Sequence, residues 1–369
     1  MQLGTHPTGG REEIMERKIR QANYEALRIL AMLMVITMHY LQKGGMLLSL
    51  TENTEVSNLL AWLVETLCIG AANAYVLISG YFLVEASWKW QKLVWLVAQV
   101  WVYSVGVSLF CLALSIGNVS QWGFYDWIRV IFPISSEHYW FATAYLLFYL
   151  FVPVLQAGVR QLSRKQHQVL LGGVLVGFSL IKTLCPVLLP TDRYGYDFGW
   201  FMVLFLVAAY LKVWGLPVLE KGKRALLFFF GTAGLIWSLN LGMSVLVGKG
   251  LPLSYMRDML YSYNHGLVLL LSVGLFAAFG KWKVKSEKVR KAVLRIAPYT
   301  FGVYLLHEHI ALRNLWQGWL GIERVRESLA FLPHMLIAVL VIFMVGTAVD
   351  FIRSCLFGRL AVFRKGDTG

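Results

Sequence analysis

From Tyr24 onward the chain alternates long apolar runs with short, cation-bearing polar breaks. A membrane crossing takes about twenty mostly apolar residues. Ten runs approach that length: 24–42, 56–84, 93–116, 139–158, 167–189, 199–216, 225–247, 264–280, 298–317 and 330–357. The second and last are long enough to tilt or to include interfacial turns. The pattern predicts an all-α protein, a polytopic membrane helix bundle of about ten transmembrane helices. Its expected parts are a tail at 1–23, a transmembrane domain at 24–357 and a second tail at 358–369. No connecting loop is long enough for a separate domain, and no internal repeat or heptad run stands out.

Lysine and arginine set the orientation. One side collects 24 cations, from the segment before the first span and the breaks after even-numbered spans, the densest being Lys281 to Arg295. The other side has nine: Lys43, Arg129, Lys182, Arg193, Lys249, Arg257, Arg313, Arg324 and Arg326. The excess places both termini in the cytosol, N-in and C-in.

Composition agrees with this class. Hydrophobic residues make up 58% of the 369 positions and charged ones 15%, against about a quarter charged in soluble proteins. A net charge of +14 could suit nucleic acid, but its alternation from break to break reads as membrane topology, and no nucleic-acid partner is expected. Cys68, Cys111, Cys185 and Cys355 lie in apolar runs at irregular spacing, as small packing residues do. The polar start lacks the apolar core of a signal peptide, so Leu27 onward reads as a retained first span. Most Trp and Tyr residues at span ends suit interfacial anchoring better than a sugar-binding set.

A few polar side chains interrupt the apolar pattern. In Tyr24–Tyr40, Arg28 and His39 are eleven residues apart, an advance only about 20° from whole helical turns, so they share a face about 16 Å apart. One reading is a snorkelling arginine and a packed histidine; the other is an anion anchor towards the cytosol with a titratable base further out. Glu65, in the second span, would either orient His39 or hydrogen-bond as the neutral acid. Ser79-Gly80-Tyr81 ends that span and permits close approach of a ligand or of another helix. Lys89 and Lys92 share a helical face if the helix continues, and either meet phosphates or follow the positive-inside bias. Tyr304 and His307 share a face of the ninth span, with Glu308 and His309 beside them. Their spacing differs from the usual i, i+4 pairing of helical metal ligands, so no metal is expected. Glu137, His138, Tyr139 and Trp140 lead into the fourth span and would suit a sugar hydroxyl or an interfacial belt.

These residues resemble the acyltransferase-3 family of membrane acyltransferases, which modify bacterial surface glycans and related acceptors. The resemblance rests on Leu27–His39, with the family's Arg/Lys-x10-His pattern, then Ser79-Gly80-Tyr81-Phe82-Leu83. It continues through Tyr139-Trp140-Phe141, Tyr145 and Pro153 to Thr300-Phe-Gly-Val-Tyr304-Leu-Leu-His307. The likeness runs from about 23 to 355 and looks nearest the exopolysaccharide branch. It implies that His39 is catalytic, with Glu65, Tyr304 and His307 around it, and that Arg28 belongs to the coenzyme A region with Ser79, Gly80, Tyr81, Lys89 and Lys92. Glu137 to Trp140 would meet the acceptor. Lys89-Trp-Gln-Lys92 keeps the spacing of the family's Arg-x-x-Arg pair but lacks its guanidinium groups. The implied activity is O-acetyl transfer from acetyl-CoA to a saccharide hydroxyl in a bacterial plasma membrane, by a chain acting alone, as a homo-oligomer or with a glycan-assembly partner. A transporter or flippase for a lipid-linked saccharide is the rival; it would typically show repeated halves with broken helices.

Overall fold

The computed structural model describes residues 9–185 and 193–366, with side chains described over 22–185 and 193–357. The terminal cations Arg11, Arg17, Lys18, Arg20, Arg359, Arg364 and Lys365 therefore lie outside the described side chains. The described residues are helical throughout, without a strand. In chain order the helices are α1 (Gly9–Lys43), α2 (Val56–Cys68), α3 (Ala71–Leu83), α4 (Trp90–Ala113), α5 (Phe124–Ile131), α6 (Trp140–Gln161), α7 (Arg164–Leu175) and α8 (Ile181–Leu184). They continue with α9 (Phe198–Val213), α10 (Gly222–Gly248), α11 (Ser254–Met259), α12 (Gly266–Lys281), α13 (Glu287–Ile296), α14 (Thr300–His307), α15 (Trp316–Trp319) and α16 (Phe331–Gly366).

Seven helical stretches among the described residues are long and apolar enough to cross a membrane: Ala22–Lys43, Val56–Leu83, Trp90–Ala113, Trp140–Gln161, Arg164–Leu184, Gly222–Gly248 and Phe331–Phe357. Two of them are composite. α2 and α3 join at Gly70, where an added Cβ would lie 2.9 Å from Ser272 Oγ, and α7 continues into α8 through a π-helical turn at Val176–Leu180. α9 and α12 are apolar but shorter. At 16 residues each spans only about 24 Å, less than the hydrocarbon core. Both are buried over most of their length, which explains why their sequences are apolar on every face.

The expected span 298–317 is not one helix. α14 ends at His307, and the chain turns before α15. His309 stops the helix by folding back on its own backbone, with Nδ1 accepting from Ala311 N at 3.1 Å. Such a side-chain turn competes with the helical ladder.

α1 stands in the middle of the bundle, against α2, α3, α12, α13, α14 and α16. Leu27, Ala31, Met32, Ile36, Met38, Tyr40 and Leu41 are buried around it. Around Tyr24 it meets the ends of α3 and α12, the ring packing on Tyr81, Phe82 and Phe276. Leu227, Phe230, Leu336, Ile337 and Met344, on α10 and α16, form an exposed apolar exterior of the kind that hydrocarbon covers.

A buried carboxylate on α16 ties that helix to α4 by hydrogen bonds and packs against α14. Asp350 is buried and accepts from Tyr103 at 2.9 Å, Gln99 at 3.2 Å and Arg353 at 2.6 Å. Gly302 lies against it so closely that a Cβ would fall 2.2 Å from its Cγ. Gly302→Ala should therefore destabilise the bundle by about 1–3 kcal/mol, read as a lowered Tm of the purified protein in detergent. An unchanged Tm would show that Asp350 can move aside.

Candidate active site

The stripe expected on α1 exists, and it faces a cavity. Arg28, Met32, Val35 and His39 follow one another at helical spacing, and the last three line a cavity with Ala72, Tyr75, Trp140, Phe141, Tyr263, Phe301 and Tyr304. Its free volume is about 40 Å³, which suits a few waters or a small acyl group. Arg28, at the other end of the stripe, does not line the cavity.

His39 is held by a chain of hydrogen bonds that defines its tautomer. His307 Nδ1 lies 2.6 Å from the Val303 carbonyl, which can only accept, so His307 carries its proton there. His307 Nε2 is consequently an acceptor, and His39 Nδ1, 3.0 Å away, donates to it. The same nitrogen is 3.1 Å from Glu308 Oε1. His39 therefore keeps its lone pair on Nε2, the nitrogen that neither partner uses. A neutral imidazole fixed in this way is a base with a defined direction of attack.

Glu308, the residue that caps α14, lies about 100° round the helix from His307 and meets both His39 and Lys43, whose ammonium hydrogen-bonds the same oxygen. A carboxylate at that distance can stabilise an imidazolium as it forms. The ligand atoms of His39, His307 and Glu308 lie within 4.8 Å of one another. They are engaged with each other and with Lys43, and a cation there would have to displace the ammonium.

Glu65 does not touch His39. It is buried, with Oε1 accepting from Gln42 Nε2 at 2.6 Å and Oε2 without a partner. The groups within reach of His39 Nδ1 are His307 and Glu308 instead. Tyr304 lines the cavity, its hydroxyl against the backbone of Phe141 at the start of α6.

The residues expected around the coenzyme divide. Arg28 forms an ion pair with Glu25 at 2.7 Å on its own helix. Gly80 serves packing, since a Cβ there would lie 3.0 Å from Ala208 Cβ and 3.2 Å from Phe205 Cα on α9. Tyr81 belongs to the aromatic group around Tyr24, with Lys212 Nζ 4.5 Å from its ring centroid. Lys89 and Lys92 are exposed at the start of α4. Lys89 is extended and precedes the helix, so the two do not share a helical face.

The stretch before α6 divides as well. Trp140 lines the cavity and stacks on Tyr263 at 5.6 Å. His138 and Tyr139 are buried clamps on the α14 segment: His138 Nε2 accepts from Ile310 N at 3.2 Å, and the Tyr139 hydroxyl donates to Leu305 O at 2.9 Å. Glu137 lies at the surface in an ion pair with Arg193, which holds its carboxyl below the usual range. His309 braces α4, with Nε2 3.0 Å from Ser104 O and 3.2 Å from Ser108 Oγ.

A half-buried, directed histidine stands at the wall of an apolar cavity inside a bundle of apolar helices. The chain belongs to the acyltransferase-3 family, whose acyltransferase domain matches residues 21–353. Comparison with curated proteins and with solved structures gives no match.

Proposed function

We propose that this membrane acyltransferase moves an acetyl group from cytosolic acetyl-CoA to a saccharide hydroxyl at the opposite face of a bacterial plasma membrane. The observation that carries the reading is the fixed tautomer of His39 at the cavity wall, between an inner arginine and an outer polar cluster. The cation asymmetry supports ten crossings with both termini inside, the short buried α9 and α12 and the broken 298–317 segment counting among them.

In the proposed reaction the acceptor hydroxyl enters from the outer side and gives its proton to His39 Nε2 as its oxygen attacks the thioester carbonyl. Glu308 and His307 stabilise the resulting imidazolium. The carbon–sulfur bond breaks, the thiolate leaves as coenzyme A, and the imidazolium proton goes to the sulfur. Direct transfer needs one base and no covalent intermediate, which suits a single histidine flanked by acceptors.

Arg28, Lys89 and Lys92 would meet the coenzyme phosphates. Arg28→Ala, or Lys89→Ala with Lys92→Ala, should weaken acetyl-CoA binding by about 1.5–3 kcal/mol per lost charge-assisted contact and leave acceptor KM nearly unchanged. Equilibrium binding of labelled acetyl-CoA checks this. Unchanged affinity in both variants would reduce these cations to topology signals.

A further inference from the structure

Arg313 is the cation that the outer face leaves without a counter-charge beside the base. It sits on the turn after α14, where its backbone N donates to His309 O at 2.8 Å. Gln317 Nε2 donates both to Arg313 O at 3.0 Å and to His39 O at 3.3 Å. One buried amide thus ties the Arg313 turn to the backbone of the histidine itself. The arginine also stands within electrostatic reach of His39, Lys43, His138 and His309.

Glu308, the nearest carboxylate along the chain, is already engaged by Lys43 and His39. Glu323 and Glu327, further along the same face, are exposed and form no ion pair among the described residues. Arg313 is half-buried and likewise forms no ion pair among the described residues. Its backbone is fixed beside that of His39 by the Gln317 bridge, and its side chain is left half-buried.

We propose that Arg313 is an anion subsite for the acceptor, and that the acceptor is an acidic glycan carrying a carboxylate or phosphate group near the hydroxyl that is acetylated. The proposal rests on the acetyl-transfer reading for the identity of the acceptor, but the anion subsite is measurable without the donor. Guanidinium grips either oxyanion through paired N–H donors. The anion would enter beside a neutral His39, and Lys43, paired with Glu308, would leave one net positive charge to receive it. The subsite would thereby choose the acceptor by charge and hold its hydroxyl against the base.

The test uses the full chain in lipid nanodiscs. Binding is measured without acetyl-CoA for a glucuronate-containing disaccharide against its carboxyl-reduced counterpart, and for a polyprenyl-diphosphate-linked monosaccharide against the free sugar. Wild-type protein should bind at least one charged probe more tightly than its neutral partner, by about tenfold or more. Whichever pair shows the preference identifies the anion as a glycan carboxylate or a lipid-linked diphosphate. Arg313→Gln should erase the preference, Arg313→Lys should keep part of it, and both should bind acetyl-CoA as wild type does. Equal binding of charged and neutral probes by wild type would overturn the proposal, as would an undiminished preference in Arg313→Gln. Charge-selective binding through Arg313 in a protein that transfers no acetyl group would uphold the subsite while removing the acetyl-transfer reading.

Discussion

Replacing His39 by alanine should reduce acetyl transfer by roughly 10²–10⁴-fold, with acetyl-CoA binding and Tm close to wild type. The side chain is partly exposed to the cavity, with 14% of its surface accessible, so its loss removes chemistry more than packing. Wild-type activity should show an acidic limb, because a protonated imidazole cannot take a second proton. That limb should vanish from whatever residual activity His39→Ala retains. His39→Gln keeps polarity and approximate size but supplies no comparable base. If His39 merely packed, that variant would keep most of the activity; near-normal turnover in a folded, coenzyme-binding His39→Gln protein would remove the histidine from the mechanism.

The second large effect should come from His307. Its bond to the Val303 carbonyl makes Nε2 an acceptor, and that acceptor keeps the His39 proton on Nδ1. His307→Phe keeps a ring in the space and removes the acceptor. His39 would then be steered only by Glu308, at 3.1 Å, and turnover should fall by about 10²-fold through kcat, a KM-neutral loss. His307→Gln presents an amide oxygen towards His39 and should recover part of the rate. A purely structural role predicts the reverse order, with the better space-filler Phe more active than Gln. Steady-state kinetics on the two variants decides between them.

Much of this site was legible in the chain. Arg28 and His39 share a face because eleven residues nearly complete three helical turns, and the structure keeps them on one stripe. His307 and Tyr304 were visible as polar groups in an apolar run; Tyr304 lines the cavity, and His307 stands behind it, bonded to His39. Glu308 was hidden because it lies about 100° round the helix from His307, and only the setting of α14 against α1 brings it to His39. Lys43 was hidden for a related reason, since it reads as an ordinary interfacial cation until its partner from the distant α14 segment is known.

The contacts assigned to Gly80, His138 and Tyr139 show the converse limit. A small residue at a helix end and a polar aromatic run carry the same pattern whether they face a ligand or another helix. Gly80 faces α9, while His138 and Tyr139 face the backbone of the α14 segment. Periodicity finds which residues share a face; it does not find what that face meets. The shorter α9 and α12 follow the same logic. Their apolar sequences suit a membrane span or a buried helix, and burial on all sides gives both the same composition.

The central claim is that one histidine serves a donor on one side of the membrane and an acceptor on the other. Its most direct test is transfer across a sealed bilayer, using proteoliposomes of known protein orientation. Radiolabelled acetyl-CoA is confined to the side bearing the termini, and a saccharide acceptor is supplied only to the opposite side. The account predicts label on the opposite-side saccharide with wild-type protein and background label with His39→Gln. Equal labelling by His39→Gln, or transfer only when donor and acceptor share one side, would contradict it.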